Sequence, residues 1–164
     1  MAIDSGRIEA AVAELLSAIG EDPARPGLVD TPRRVAEAYG DFFSGLGVDA
    51  GEHLRETIPV DGTGELVLLR DIEFRSICEH HLLPFTGVAH LAYVPGERIV
   101  GLGKLPRVLE TLASRPQLQE RLGEEVADAL ADGLGAKGVL VVLDAVHGCV
   151  SARGARQAHS STVT

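Results

Sequence analysis

Cys78-Glu79-His80-His81 stands between two stretches that predict β-strands, residues 65–74 and 87–94. Apolar and polar side chains alternate along residues 89–93, as they do in a strand with one buried face. A third, aliphatic strand is predicted at residues 139–146 and a fourth at residues 156–163. Because helical patterns lie between these strand pairs, the sequence indicates an α+β fold, an antiparallel sheet with helices packed on one face.

Helical periodicity predicts four helices. The first is capped by Ser5 and closed by Gly20, and the second has Thr31 as its N-cap and a proline in its first turn. The third covers residues 104–113. The longest has Pro116 in its first turn, Gln119 and Glu120 in its opening turn, and an apolar stripe that continues to residue 134. Residues 45–64 are polar and glycine-rich and predict a loop, so that an N-terminal helical segment and loop (1–64) precede residues 65–164 in one structural unit.

Cysteine and histidine spacing predicts a metal site. Cys78 and His81 have the Cys-x-x-His spacing of half a transition-metal site, and the second of the chain's two cysteines, Cys149, lies in His147-Gly148-Cys149. Together these stretches supply three protein ligands and leave a fourth position for water, as in catalytic zinc sites. His80 and His147, each beside a ligand, remain as acid–base groups near neutral pH. A disulfide or two buried thiols are the alternatives that spacing alone leaves open.

The composition argues against several classes of function. A chain of 164 residues, 45% hydrophobic and 24% charged, is typical of one globular domain with a real core. Its net charge of −9 argues against general nucleic-acid binding. No apolar run is long enough to predict a membrane span. The N-terminus lacks the basic start and apolar segment of an export signal, so we expect a cytoplasmic protein.

Four motifs, in this order, resemble the GTP cyclohydrolase I family. They are Cys78-Glu79-His80-His81, Gly101-Leu102-Gly103-Lys104-Leu105-Pro106-Arg107, Arg115-Pro116-Gln117-Leu118-Gln119-Glu120-Arg121-Leu122 and His147-Gly148-Cys149. The resemblance runs from Arg7 to Thr164. It implies a T-fold, with residues 65–164 as the catalytic domain. It also implies zinc-dependent hydrolytic opening of the guanine imidazole ring of GTP, which releases formate and gives 7,8-dihydroneopterin triphosphate.

The resemblance also implies a role for each site residue. Zn²⁺ would be held by Cys78, His81 and Cys149, while His80 and His147 would move protons. Glu120, helped by Gln119, would read the guanine edge, because a carboxylate can accept hydrogen bonds from both N1–H and the exocyclic amine. The triphosphate would be held by Lys104, Arg107, Arg153 and, from a neighbouring subunit, Arg34. The family further implies a homo-oligomeric ring, expected as a decamer, with sites at subunit interfaces.

Two residues depart from the family pattern. Gly103 stands where a phosphate-contacting serine is common, and Glu37 stands where a lysine or arginine is usual. We therefore expect weaker binding of GTP or a preference for a guanine nucleotide with fewer phosphates. One alternative function is that of a T-fold paralogue acting on another guanine nucleotide or purine in a specialised pterin or deazapurine pathway. Another is a non-catalytic binding protein with a structural zinc, whose closed site would recruit His80 or His147 as a fourth ligand.

Overall fold

A computed structural model describes residues 3–60 and 64–164 of the chain. In chain order its elements are α1 (Ser5–Ala18), α2 (Thr31–Phe42), β1 (Thr57–Pro59), β2 (Val67–Cys78), β3 (Pro84–Val94), β4 (Arg98–Val100), α3 (Lys104–Ala113), β5 (Pro116–Gln117), α4 (Gln119–Leu134), β6 (Gly138–His147), α5 (Gly148–Ser151) and β7 (Thr162–Val163). Residues 1, 2 and 61–63 of the predicted N-terminal segment lie outside the described residues. Helices combined with a mainly antiparallel sheet confirm the predicted α+β class.

Five strands form the main sheet in the order β5-β2-β3-β6-β7. β2 pairs antiparallel with β3, and β3 pairs with β6 from Val94–Gly138 to Phe85–His147. β5 joins β2 in parallel through two residue pairs. This register brings the end of β2, the start of β3 and the end of β6 to the same end of the sheet.

α3 and α4 pack on one face of this sheet, as predicted, and form the core with it. The buried aliphatic residues of α4 recur at every fourth position: Leu122, Val126, Leu130 and Leu134. They contact apolar side chains of the strands, among them Phe85, Leu91 and Leu143. Complete burial of each such side chain contributes about 1.5–3 kcal/mol, so this face holds the helix in place.

α1 and α2 pack against each other, and the N-cap of each lies one residue before the predicted cap. The Asp4 carboxylate accepts a hydrogen bond from the Arg7 backbone N–H, so Asp4 rather than Ser5 caps α1. Asp30 occupies the N-cap position of α2, and Thr31 is already helical. The cap predictions at Ser5 and Thr31 were therefore wrong, because adjacent residues with capping side chains cannot be ranked from sequence alone. Within the described part of the chain, no helix has the length and apolarity to cross a membrane.

The segment predicted as a loop at residues 45–64 contains two short ordered elements. A 3-10 turn at Ala50–Leu54 buries both of its end residues in the core, and β1 pairs antiparallel with β4. Elements of three to five residues carry no measurable periodicity, so the sequence pattern missed them. The division of the chain at residue 64 stays a prediction.

Three predicted boundaries were wrong for a related reason. β2 continues to Cys78 rather than ending at residue 74. Pro116 lies in β5, paired with Ile77, rather than in the first turn of α4. Of the predicted fourth strand, 156–163, the part that pairs with β6 is Thr162–Val163. In each case, pairing with a distant segment sets the boundary, and local propensity does not contain that information.

Candidate metal centre

Three side chains from distant parts of the sequence converge at the end of the sheet. The ligand atoms of Cys78, His81 and Cys149 all lie within 4.8 Å of one another. Both cysteines are free thiols, which excludes the disulfide alternative. Ligand atoms in a tetrahedral zinc site, at about 2.0–2.3 Å from the ion, lie roughly 3.3–3.8 Å apart, so side chains whose ligand atoms are within 4.8 Å of one another need only a small movement to reach one ion. This group, called here the Cys-His-Cys cluster, therefore has the donor set and the spacing to share a transition-metal ion.

Two close backbone approaches create the cluster. After β2, the Leu82 N–H donates to the Cys78 carbonyl at 2.9 Å, and the Cys78 N–H donates to the Leu83 carbonyl at 2.9 Å. Leu82 adopts a left-handed φ of 52°, which costs a leucine roughly 1–2 kcal/mol. On the other side, a Cβ on Gly148 would lie 2.8 Å from the Pro84 carbonyl oxygen. A glycine before Cys149 therefore lets α5 approach this turn closely enough to bring the two sulfurs together.

The environment of the Cys149 sulfur disfavours negative charge unless a cation is present. Burial raises the pKa of the Cys149 thiol, the neighbouring Cys78 sulfur raises that pKa further, and the Arg153 charge lowers it by a smaller amount. Arg153 also donates a hydrogen bond from Nη1 to Nε2 of His81 at 2.9 Å. The guanidinium group therefore lies at the edge of the Cys-His-Cys cluster.

His147 lies at the end of β6, directly before α5, and two contacts hold its ring. It stacks on Phe85 with ring centroids 4.7 Å apart and planes within 5°. Its Nε2 is 2.7 Å from the Oε1 of Gln119. Burial lowers the pKa of His147, while the Glu120 carboxylate raises that pKa by a smaller amount. The net effect favours the neutral imidazole, which can accept a proton.

The first turn of α4 carries the two residues predicted to recognise guanine, and they face different surroundings. The Gln119 side chain is buried, and its Nε2 donates to the carbonyls of Leu143 and Thr162 at 3.0 and 2.8 Å. Glu120 is exposed and near enough to His147 to influence its titration. Glu120 is therefore free to meet a ligand, whereas Gln119 is bonded within the chain.

His80 is exposed, with its ring centroid 6.3 Å from that of His81. The residue before it, Glu79, pairs with Arg121 of α4. Arg121 also donates from Nε to Oε1 of the buried Gln117 at 3.0 Å. Sequence reasoning missed Arg121 and also missed Phe85, the stacking partner of His147, because both contacts depend on elements that only tertiary pairing brings together.

Two of the cations predicted to hold phosphate lie at the beginning of α3. Lys104 Nζ is 2.7 Å from a carboxylate oxygen of Glu56. The pKa of Glu56 is lowered, first by this hydrogen bond from Lys104 and to a smaller degree by the charge of Arg107. Any phosphate bound here would compete with Glu56. Within residues 3–60 and 64–164, no hydrogen bond or ion pair joins Lys104 or Arg107 to the Cys-His-Cys cluster.

The other two cations differ in position. Arg153 adjoins the cluster through His81. Arg34 lies in α2, where its Nη2 is 3.4 Å from an Asp30 carboxylate oxygen, and no hydrogen bond or ion pair in the described residues links it to the cluster of its own chain. One chain thus brings together the metal ligands, His147, Glu120 and Arg153, whereas no hydrogen bond or ion pair in the described residues joins Arg34, Lys104 or Arg107 to this group.

Comparison with known proteins agrees with this geometry. The family model described as GTP cyclohydrolase I matches residues 8–164. A GTP cyclohydrolase 1 of Leifsonia xyli subsp. xyli is 64% identical over 162 residues, which are 98% of this chain and 85% of that protein. Those of Rhodopirellula baltica and Bacillus subtilis are 52% and 50% identical, each over 99% of this chain and over 70% and 85% of their own lengths. The chain therefore belongs to the GTP cyclohydrolase I family of enzymes.

Proposed function

We propose that this protein opens the guanine imidazole ring of GTP by hydrolysis, releases C8 as formate and yields 7,8-dihydroneopterin triphosphate. The observation that carries the proposal is the Cys-His-Cys cluster with two residues beside it, His147, whose pKa burial lowers, and the exposed Glu120. Relatives named GTP cyclohydrolase 1, at 50–64% identity over nearly the whole chain, support the same activity.

Zn²⁺ is the metal that we propose for this cluster. Two thiols and one imidazole are the donor set that zinc prefers. Cys78, His81 and Cys149 would hold the ion, which would supply a water of lowered pKa as the nucleophile needed at C8. A closed structural site would need a fourth protein ligand. Against this alternative, His147 is bonded to Gln119 and stacked on Phe85, and neither His147 nor His80 is among the grouped ligand atoms of the described residues.

His80 and His147 are the proposed proton-transfer groups. Ring opening and hydrolysis require one group that donates a proton and another that accepts one, and imidazoles do both near neutral pH. Burial favours neutral His147 and therefore the acceptor role. His80 is exposed and can exchange protons with solvent. His80 adjoins the ligand His81 and His147 lies two residues before Cys149, so both would be near a carbon that is held at the metal.

Glu120 is the proposed guanine reader. Its carboxylate can accept from both N1–H and the exocyclic amine of guanine, a donor pair that adenine lacks. A site built around such a pair rejects the wrong base strongly, because acceptors that the bound base buries would be left unpaired. Glu120 is exposed and close enough to His147 to influence its pKa. This supports the role, since a base bound to Glu120 would lie near His147.

The triphosphate is proposed to contact Arg153, Lys104 and Arg107, with Arg34 from a neighbouring subunit. Gly103, at the N-cap of α3, leaves open space where a serine hydroxyl would lie, and Glu37 pairs with Arg33 at 2.6 Å. Both departures support weaker GTP binding or a preference for fewer phosphates. Steady-state kinetics on GTP, GDP and GMP test this point, and a low KM for GTP with a normal preference for it would contradict it.

A ring of identical subunits with sites at their interfaces is the proposed assembly. It is supported by the exposure of His80, His81 and Glu120, and by Arg34 pairing with Asp30 and with no residue of the cluster in the described part of its own chain. Native mass spectrometry at assay concentrations is the test. A monomer that turns over GTP at full rate would contradict the shared site.

The deciding experiment incubates the zinc-loaded protein with GTP and follows both formate release and pterin absorbance. We expect both products, their loss after chelation, and their recovery when zinc is returned. Cys149→Ser should lose metal and product together. The proposed function would be wrong if the zinc-loaded protein released no formate from GTP, or if removing the metal left the rate unchanged.

A further inference from the structure

The side chain of Gln119 uses its polar atoms within this chain, although the family resemblance predicts a contact with guanine. We infer that Gln119 is a positioning residue that fixes the ring orientation and the tautomer of His147. This inference rests on the proposed function, in which His147 transfers protons, and it replaces substrate binding as the role of the Gln119 side chain.

Three acceptors fix the orientation of the Gln119 amide. Its nitrogen lies 3.0 Å from the Leu143 carbonyl oxygen, 2.8 Å from the Thr162 carbonyl oxygen and 3.2 Å from the Thr164 hydroxyl. Carbonyl oxygens only accept hydrogen bonds, so the group facing them must be the amide NH₂. The amide oxygen, Oε1, must therefore face the other way, toward His147.

The Gln119 amide oxygen determines which ring nitrogen of His147 carries the proton. Oε1 of Gln119 only accepts hydrogen bonds, and it lies 2.7 Å from Nε2 of His147. Nε2 must therefore carry a hydrogen, which leaves the lone pair of the neutral ring on Nδ1. Phe85 fixes the plane of the ring by stacking 4.7 Å from it. One contact thus sets the plane and the other sets the tautomer.

The Gln119 side chain has no free polar atom to offer a substrate. Gln119 is 1% exposed, and its two N–H groups are directed at the carbonyls of β6 and β7. Those strands are themselves joined by reciprocal hydrogen bonds of 2.9 Å between Leu143 and Thr164. A guanine contact would require the amide to give up its hydrogen bonds to Leu143, Thr162 and His147, which is costly for a buried polar group. The Gln119 side chain therefore acts on the reaction through His147.

The direct test is the ¹⁵N spectrum of the zinc-loaded protein labelled at histidine, with the His147 signals assigned from their loss in His147→Ala. We expect Nε2 to have the shift of a protonated ring nitrogen and Nδ1 that of an unprotonated one. In Gln119→Leu the two shifts should converge as the tautomers mix. A proton on Nδ1 in the unaltered protein would overturn the inference, and this measurement needs no variant that folds with a changed core.

A matched control is Gln117→Leu. Gln117 is also 1% exposed, and its side chain bonds to Leu112, Glu125 and Arg121 but not to His147. Gln117→Leu therefore removes a buried amide of the same size that has no hydrogen bond to the His147 ring, and it should leave the His147 shifts unchanged. Unchanged shifts in Gln119→Leu as well would overturn the inference.

Kinetics separate the two roles of Gln119. A positioning role predicts that Gln119→Leu lowers kcat roughly tenfold or more, because a lost hydrogen bond of ordinary strength is worth up to about that factor and misplacement adds to it. The KM for GTP should stay within about twofold. A raised KM at unchanged kcat would make Gln119 a substrate contact and overturn the inference. If the unaltered protein released no formate from GTP, the proposed function would fail while the spectroscopic test still decided the tautomer.

Discussion

Replacing Cys149 by serine tests the metal centre most directly. Cys149 is one of three ligands whose donor atoms lie within 4.8 Å of one another, so its loss would leave two. A serine hydroxyl stays protonated near pH 7 and replaces a thiolate poorly as a ligand. We expect zinc content to fall from about one ion per chain to a small fraction of that value, measured by elemental analysis after gel filtration.

The stability effect of zinc can be estimated. Zinc at 100 times its Kd stabilises the native state by about 2.7 kcal/mol. A domain of this size changes its Tm by about 2–4 °C per kcal/mol, so the rise in Tm should be roughly 5–11 °C. Losing a residue that merely orients a ligand weakens metal binding by about 10–100-fold, so losing a ligand costs at least about 100-fold. At the same zinc concentration the stabilisation in Cys149→Ser then falls to about 0.4 kcal/mol or less, a rise of roughly 1–2 °C at most.

The assay compares the Tm of each protein with and without zinc, which cancels the cost of replacing a half-buried sulfur. Val150→Ser is the matched control, because Val150 is the next residue of α5, is 38% exposed and lies outside the Cys-His-Cys cluster. It should keep the full zinc-dependent rise. If Cys149→Ser also kept one ion per chain and the full rise in Tm, the cluster would not be the metal site, and the proposed mechanism would lose its basis.

Three further predictions concern His147, Gly103 and Leu130. His147→Ala should retain zinc yet lower kcat by about 100-fold or more; loss of metal, measured by elemental analysis, would instead make His147 a ligand. In Gly103→Ser the new Cβ meets no atom within 4 Å, so the change should stabilise α3 by a few tenths of a kcal/mol. It should also lower the KM for GTP, and an unchanged KM would exclude a phosphate role at this position. Leu130 is 0% exposed, so Leu130→Ala should lower the free energy of unfolding by about 2–5 kcal/mol. Urea denaturation should show a lower midpoint at unchanged slope, and a loss below about 1 kcal/mol would contradict the place of Leu130 in the core.

Sequence reasoning succeeded where chemistry and periodicity are local. Cys78 and His81 belong to a single turn, and the strong apolar period of α3 gave both of its ends, Lys104 and Ala113, without error. The α+β class and the helices on one face followed from the same periodicity, and they agree with the T-fold that the family resemblance implied. The short strands β1, β4 and β5 could not be found, since two or three residues have no period and their stability comes from pairing with distant strands. β7 lies within the predicted fourth strand, 156–163, but only its last part, Thr162–Val163, pairs with β6.

Gln119 shows what a local sequence pattern can predict and what depends on the pairing of distant strands. It precedes Leu122 by three positions and Val126 by seven, which places it on the buried face of α4, while its neighbour Glu120 falls outside that face. That spacing was visible in the sequence, and a glutamine on an apolar face must find its hydrogen bonds inside the protein. Its partners were not visible, because Leu143 and Thr162 are brought to it by the pairing of β6 with β7. The sequence could thus show that this amide is directed inward, and only the sheet register could show that it meets the acid–base histidine.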